Sequence, residues 1–196
     1  VFDEQVHDLG AVSRQLETEI GCAPLIRLHG KRPADRGWPS GPFDDPDRWR
    51  DRLLDWTGNV GLVTGRGLFV IDVDRYKPGC TFADLEQRLP ETLTAETGSG
   101  GLHLLYRTTR RVPSRPMPGQ IGIDIRGDGG QIVVAPSIHP DTGRPYRWAN
   151  NLPVANAPDW LEDVVAGSVY LNRPLVTAAA STGTAWNGGD VIFRLF

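Results

Sequence analysis

Leu68-Phe69-Val70-Ile71-Asp72-Val73-Asp74 decides how this 196-residue chain is read. The apolar run is that of a buried strand, and it ends in two acids. Residues i and i+2 of a strand share a face, so Asp72 and Asp74 point the same way, a few ångströms apart. Two bare carboxylates that close repel and raise each other's pKa, and a cation between them relieves the conflict. Clustered carboxylates are the ligands that Mg²⁺ and Mn²⁺ prefer. The segment therefore points to metal-assisted chemistry, most naturally on a phosphate. A plainer reading stays open, in which the acids cap the next turn and Lys77 or Arg75 neutralises them.

Further along, Gly98-Ser99-Gly100-Gly101-Leu102-His103-Leu104-Leu105-Tyr106 joins a Gly-Ser turn to a strand. Such a turn lets backbone N–H groups approach an anion. His103 lies on the face opposite Leu102 and Leu104, where it reads either as a donor to a phosphate or sugar oxygen or as a satisfied core histidine. In Ile121-Gly122-Ile123-Asp124-Ile125-Arg126-Gly127, Asp124 stands between isoleucines, one polar position facing a site. Two-metal sites need more than two carboxylates, and Asp124 is the natural third. Arg126 shares its face, to meet a phosphate or to pair with Asp124.

Around these segments the pattern alternates helix and strand. Helices are expected over residues 3–20, 47–56, 82–89 and 159–165. Strands are expected near 24–28, 60–63, 68–73, 93–96, 102–107, 121–125, 132–135 and 146–148. This is an α/β (α+β) chain with a mixed sheet. The net charge of −3 excludes a strongly basic histone-like binder, yet residues 101–150 hold seven Arg against three Asp, a net +4. Arg107, Arg110, Arg111 and Arg115 are thus candidates to follow a phosphate backbone. No apolar run approaches the length of a membrane span. Cys22 and Cys80 form neither a zinc cluster nor a disulfide framework, which suits a reducing cytoplasm. The start at Val1 reads as a piece of a longer protein. Residues 1–167 form the expected catalytic domain, and the Ala/Thr/Ser/Gly-rich residues 168–196 a linker or the start of another domain.

An Asp-x-Asp strand end, then Ser-Gly-Gly-x-His, then an apolar-flanked Asp resembles the primase-polymerase (prim-pol) domain of the archaeo-eukaryotic primase superfamily. Lys31-Arg32-Pro33 with Gly37-Trp38, and the run Asp124 to Gly130, Val133 to His139 and Tyr146-Arg147-Trp148, extend the likeness over about residues 5–165. The resemblance implies an RNA-recognition-motif-like catalytic sheet beside a smaller N-terminal α/β lobe. It implies template-directed nucleotidyl transfer, with Asp72, Asp74 and Asp124 holding two Mg²⁺ or Mn²⁺ ions and no zinc. Ser99, Gly100, Gly101 and His103 would grip the nucleotide, with Lys31 and Arg126 as further phosphate contacts. Ser137 and His139 read either as nucleotide contacts or as parts of a Pro-fixed turn, and Trp38 as a packing residue or a stacking one. The implied partners are single-stranded DNA template and primer, dNTP or NTP, and a helicase domain or partner, in the cytoplasm of a bacterial host. The chain has Ala135-Pro136 where relatives have two prolines, and Gln131 where they often have an aromatic. A metal-dependent nuclease and a non-catalytic single-strand-binding module are the rival readings.

Overall fold

The structure, a computed structural model, describes residues 16–18, 24–41, 43 and 45–167. The expected helix over 3–20 falls mostly outside these residues. Its described part, 16–18, is helical and buries Leu16. Residues 168–196 also lie outside the described residues.

Two sheets make up the fold. The first runs β2-β1-β3-β9, from strands β1 (Leu25–His29), β2 (Arg32–Pro33), β3 (Asn59–Val63) and β9 (Gln131–Val133). Strands β4 (Leu68–Val73), β5 (Thr94–Glu96), β6 (Leu102–Arg107), β7 (Arg115–Pro116), β8 (Ile123–Arg126) and β10 (Arg147–Trp148) build the second, in the order β10-β5-β6-β4-β8-β7. A short β11 (Ala155–Asn156) joins β6 in parallel, and the other pairings are antiparallel. The expected mixed α/β architecture is therefore present. The smaller lobe is not wholly N-terminal, because β9 comes from beyond Asp124 and pairs Gly61 with Val133 and Leu62 with Ile132.

Three helices flank the sheets. Helix α1 (Pro46–Asp51) starts with Pro in its first turn, and Asp45 Oδ1 accepts the Arg48 N–H at 3.3 Å. It stops short of Trp56: residues 52–55 form turns, and Asp55 adopts a φ of 61°. Helix α2 (Phe82–Glu86) gives way to tighter turns, Arg88 N to Leu85 O and Leu89 N to Glu86 O, as Pro90 approaches. Helix α3 (Asp159–Ala166) buries Leu161, Val164 and Val165 at helical spacing and ends at Gly167, where φ is 91°.

Alternation along β4 assigns its two faces. Phe69, Ile71 and Val73 point toward the helices and pack with Leu102, Leu104, Tyr106, Ile123, Ile125, Phe82, Leu85 and the α3 residues. Leu68 and Val70 point the other way and, with Leu105, meet Leu25, Val60, Leu62, Ile132 and Val134 of the first sheet. Each fully buried aliphatic contributes roughly 1.5–3 kcal/mol. Asp72 and Asp74 continue the second face past this apolar contact, so the acids stand at the seam between the sheets.

Candidate active site

The register of three adjacent strands brings the acids together. Asp72 pairs with His103 on β6 and with Asp124 on β8. Directly opposed residues of a sheet share a face, so His103, Asp72 and Asp124 form one row, with Asp74 two residues beyond Asp72. Asp124 thus joins the pair from a strand some fifty residues away. His103 Nε2 lies 3.5 Å from Asp72 Oδ1, and its buried Nδ1 has no hydrogen-bond partner. Burial by itself pushes the Asp72 carboxyl up, but His103 and Arg126 outweigh it and hold Asp72 at about 2. Asp72 therefore stays a carboxylate at every working pH.

Protein cations already occupy the acids. Arg126 donates from Nε and Nη2 to Asp72 Oδ2 at 3.0 and 2.9 Å, and from Nη2 to Asp124 Oδ2 at 2.9 Å. Asp74 accepts the Tyr76 hydroxyl on Oδ1 at 2.9 Å and pairs through Oδ2 with Lys77 Nζ at 2.6 Å. The plainer alternatives are the ones present here: Arg126 pairs with Asp124, and Lys77 neutralises Asp74. As they stand, no three His, Cys, Asp or Glu side chains among the described residues form a group able to hold a metal ion. The donor chemistry nonetheless fits Mg²⁺ or Mn²⁺. Asp72 and Asp124 stand side by side on adjacent strands as hard oxygen donors with the Arg126 guanidinium between them, and Asp74 follows two residues beyond Asp72.

The Gly-Ser turn sits against the end of β4. A Cβ on Gly101 would lie 2.3 Å from the Val73 carbonyl oxygen, so only glycine fits there. Gly100 takes a φ of 90°, a conformation glycine adopts without strain. The expected amide cradle differs in detail. Gly100 N–H donates to Thr97 O at 2.8 Å and Gly101 N–H to Thr97 Oγ1 at 2.8 Å, so both amides serve the turn itself. The two glycines shape the turn, and the side chain it offers is Ser99, whose hydroxyl lies 3.0 Å from Thr97 Oγ1.

Beside the acids run three stacked rings. His103 and Tyr146 have centroids 6.1 Å apart, and Tyr146 and His139 6.0 Å apart. Nδ1 of His139 accepts the N–H groups of Asp141 and Thr142, while its Nε2 is buried without a partner. Burial, and then the charge of Lys31, push His139 below its ordinary pKa. Lys31 itself is exposed in the turn between β1 and β2, its carbonyl accepting from Gln131 Nε2 at 3.1 Å. Ser137 serves the fold. Its buried hydroxyl accepts the Val60 N–H at 2.9 Å and donates to Val60 O at 3.2 Å. Trp38 packs on the core around Leu28 and Phe43, the packing role.

The basic stretch distributes differently from its reading as a backbone-following surface. Arg110 pairs with Glu162 and Asp163 of α3, and Arg115 donates to the Val164 and Val165 carbonyls at that helix's C-terminal end. Arg111 pairs with Asp128 at 3.3 Å and is almost fully exposed. Two of the four arginines thus hold α3, because local charge in sequence does not say which helix will dock beside it.

Sequence reading missed Tyr76 and Tyr146 as neighbours of the acids. Tyr76 follows Asp74 by two residues in a tight turn, a spacing that carried the signal. Tyr146 stood in the motif run but arrives only through tertiary packing.

The family model for the bifunctional DNA primase/polymerase N-terminal domain, Prim-Pol, matches residues 15–160 of this chain. None of the curated proteins compared with it matches.

Proposed function

Because the chain belongs to the Prim-Pol family of bifunctional DNA primase/polymerase domains, we propose that it is a template-directed nucleotidyltransferase that joins (d)NTPs to a primer 3′-hydroxyl or begins a primer. The hydroxyl oxygen bonds to the α-phosphorus, the bond from that phosphorus to the β-phosphate bridge breaks, and pyrophosphate leaves with the hydroxyl proton released to solvent. The observation that carries this reading is the His103–Asp72–Asp124 row with Asp74 at its edge. Asp72, Asp74 and Asp124 would hold two Mg²⁺ or Mn²⁺ ions, which would supply activation of the attacking hydroxyl and neutralisation of the triphosphate. His103 backs Asp72 and fixes its orientation. Ser99 meets the triphosphate at the glycine turn, and Arg126 and Lys31 meet it from β8 and from the turn between β1 and β2. No covalent nucleophile is required, since positioning and charge stabilisation are the main contributions. Template and primer are single-stranded DNA in a replication system of the phage or plasmid type, with a helicase domain or partner alongside.

The test is incubation with Mn²⁺, labelled dNTP and a primed template. Primer extension that Asp72→Ala abolishes, while single-strand binding survives, is the expected result. Shortening of the primer identifies a nuclease instead. Binding without any turnover identifies a non-catalytic module.

A further inference from the structure

The turn that follows β4 and the glycine turn after β5 lie against each other at three points. Gly101 sits on the Val73 carbonyl, and the Tyr76 hydroxyl reaches the Ser99 side chain as well as Asp74. At the third point Arg75 Nε donates to the Gly100 carbonyl at 3.2 Å. From the sequence, Arg75 and Lys77 were alike as neutralisers of the strand-end acids. Lys77 takes that part at Asp74, whereas Arg75 pairs with no acid among the described residues. Arg75 is exposed, and its bond to Gly100 uses one of five N–H donors. The two terminal nitrogens have no partner among the described residues. Anchored at Nε, they form a planar fork on the turn, one residue from Ser99. Such a fork matches two oxygens of one phosphate.

Resting on the function proposed above, we infer that Arg75 is a nucleotide-binding residue, whose terminal nitrogens clamp the phosphates of the incoming (d)NTP at the glycine turn. The neighbouring cations are committed elsewhere. Lys77 is held by Asp74, and Arg126 by Asp72 and Asp124. Arg75 can take a phosphate without breaking an ion pair. Its side chain is already fixed at one end, so it loses less freedom on binding than a loose surface arginine does. The hydroxyl of Ser99 and the fork of Arg75 then act on the same group of phosphates, one as a neutral contact and the other as a charged one. The phosphodiester backbone of primer or template offers the same oxygens. The anchor on Gly100 favours the nucleotide, because it ties the guanidinium to the turn that carries Ser99.

The experiment is steady-state incorporation of a single dNTP on a primed template by wild type, Arg75→Gln and Arg75→Lys, with inorganic pyrophosphate as inhibitor. Template affinity is measured separately by fluorescence anisotropy, and thermal melting establishes folding. Arg75→Gln is expected to raise KM for dNTP about tenfold, the scale of one charge-assisted contact, with kcat and template affinity near wild type. Pyrophosphate should inhibit it less, since it carries two of the same phosphates. Arg75→Lys keeps the charge without the fork and falls between. It decides by the same criterion where Arg75→Gln does not fold. An unchanged KM in the folded variant overturns the inference. So does a lower kcat together with a lower melting temperature, the mark of a residue that only holds the turn. Weaker template binding at unchanged KM assigns Arg75 to the nucleic-acid backbone and overturns it as well. Where wild type extends no primer, the function proposed above fails, and equilibrium binding of a fluorescent dNTP decides for Arg75 alone. Binding about tenfold weaker in Arg75→Gln supports the contact. Equal affinity, or no binding by either protein, overturns it.

Discussion

The two faces of strand β4 differ by a shift of one residue. On one, Phe69, Ile71 and Val73 are 0% exposed beneath helices α2 and α3. On the other, Leu68 and Val70 are as deeply covered by the first sheet, but Asp72 and Asp74 emerge where that cover ends. One periodicity of two thus supplies both a core and a charged site, and the boundary lies where the partner sheet stops. The difference teaches that the site is anchored by the strand it shares with the core. The acids need no rigid loop of their own, because their backbone is held in six register pairs with β6 and four with β8.

The comparison breaks most sharply at neighbouring residues. Asp72→Asn should lower primer extension by about a thousandfold or more while circular dichroism stays near wild type and stability falls by less than for a core deletion, only by what the Arg126 and His103 contacts contribute. Ile71→Ala, one position back, should do the reverse. Deleting a fully buried aliphatic costs about 2–5 kcal/mol, read as a lower urea midpoint, with extension per folded molecule unchanged. Equal loss of stability in both variants would show that the charged face also carries the fold.

Much of this division was legible in the residues. The Leu68–Val73 strand, the Leu102–Arg107 strand and the helix from Asp159 follow from runs and spacings that local chemistry dictates. So did the meeting of Asp72 with Asp124, though only through the motif order, since register across strands is a tertiary property. Three features were beyond local reading. The β9 strand crosses to the first sheet, the amides of Gly100 and Gly101 turn inward to Thr97, and Arg110 and Arg115 dock on α3. Each depends on which segments become neighbours, and no periodicity encodes that.

A pH series sharpens the contrast at the edge of the site. His139 is pushed below its ordinary pKa of 6.5 by burial first and Lys31 second. The fold thus favours the neutral ring, and its unfolded form binds a proton at higher pH than the folded one. The stability this provides is complete above about pH 6.5 and lost as pH falls below it toward the folded value. Wild type should therefore lose more stability than His139→Gln between pH 7.5 and 5, measured by urea denaturation at each pH. Parallel curves for the two proteins would mean that the ring titrates as it does in the unfolded chain.

The smallest effect separates two arginines. Arg126, 38% exposed, reaches Asp72 and Asp124 with three hydrogen bonds at 2.9–3.0 Å. Arg111 makes a single 3.3 Å pair with Asp128 while 95% exposed. Water competes freely for an exposed pair, and holding two long side chains in one geometry costs entropy, so such pairs contribute about 0–1 kcal/mol. Arg111→Ala should thus shift the melting temperature by no more than about a degree or two, the lower end of what that energy implies. It should also leave Mn²⁺ binding unchanged, since Arg111 touches none of the three acids. What Arg111 offers instead is a positive charge facing solvent. If it follows the template backbone, Arg111→Ala lowers single-strand affinity at low salt, and the deficit narrows as salt rises. An equal deficit at every salt concentration would show that Arg111 acts on the fold, and would move it to the side of Arg110 and Arg115.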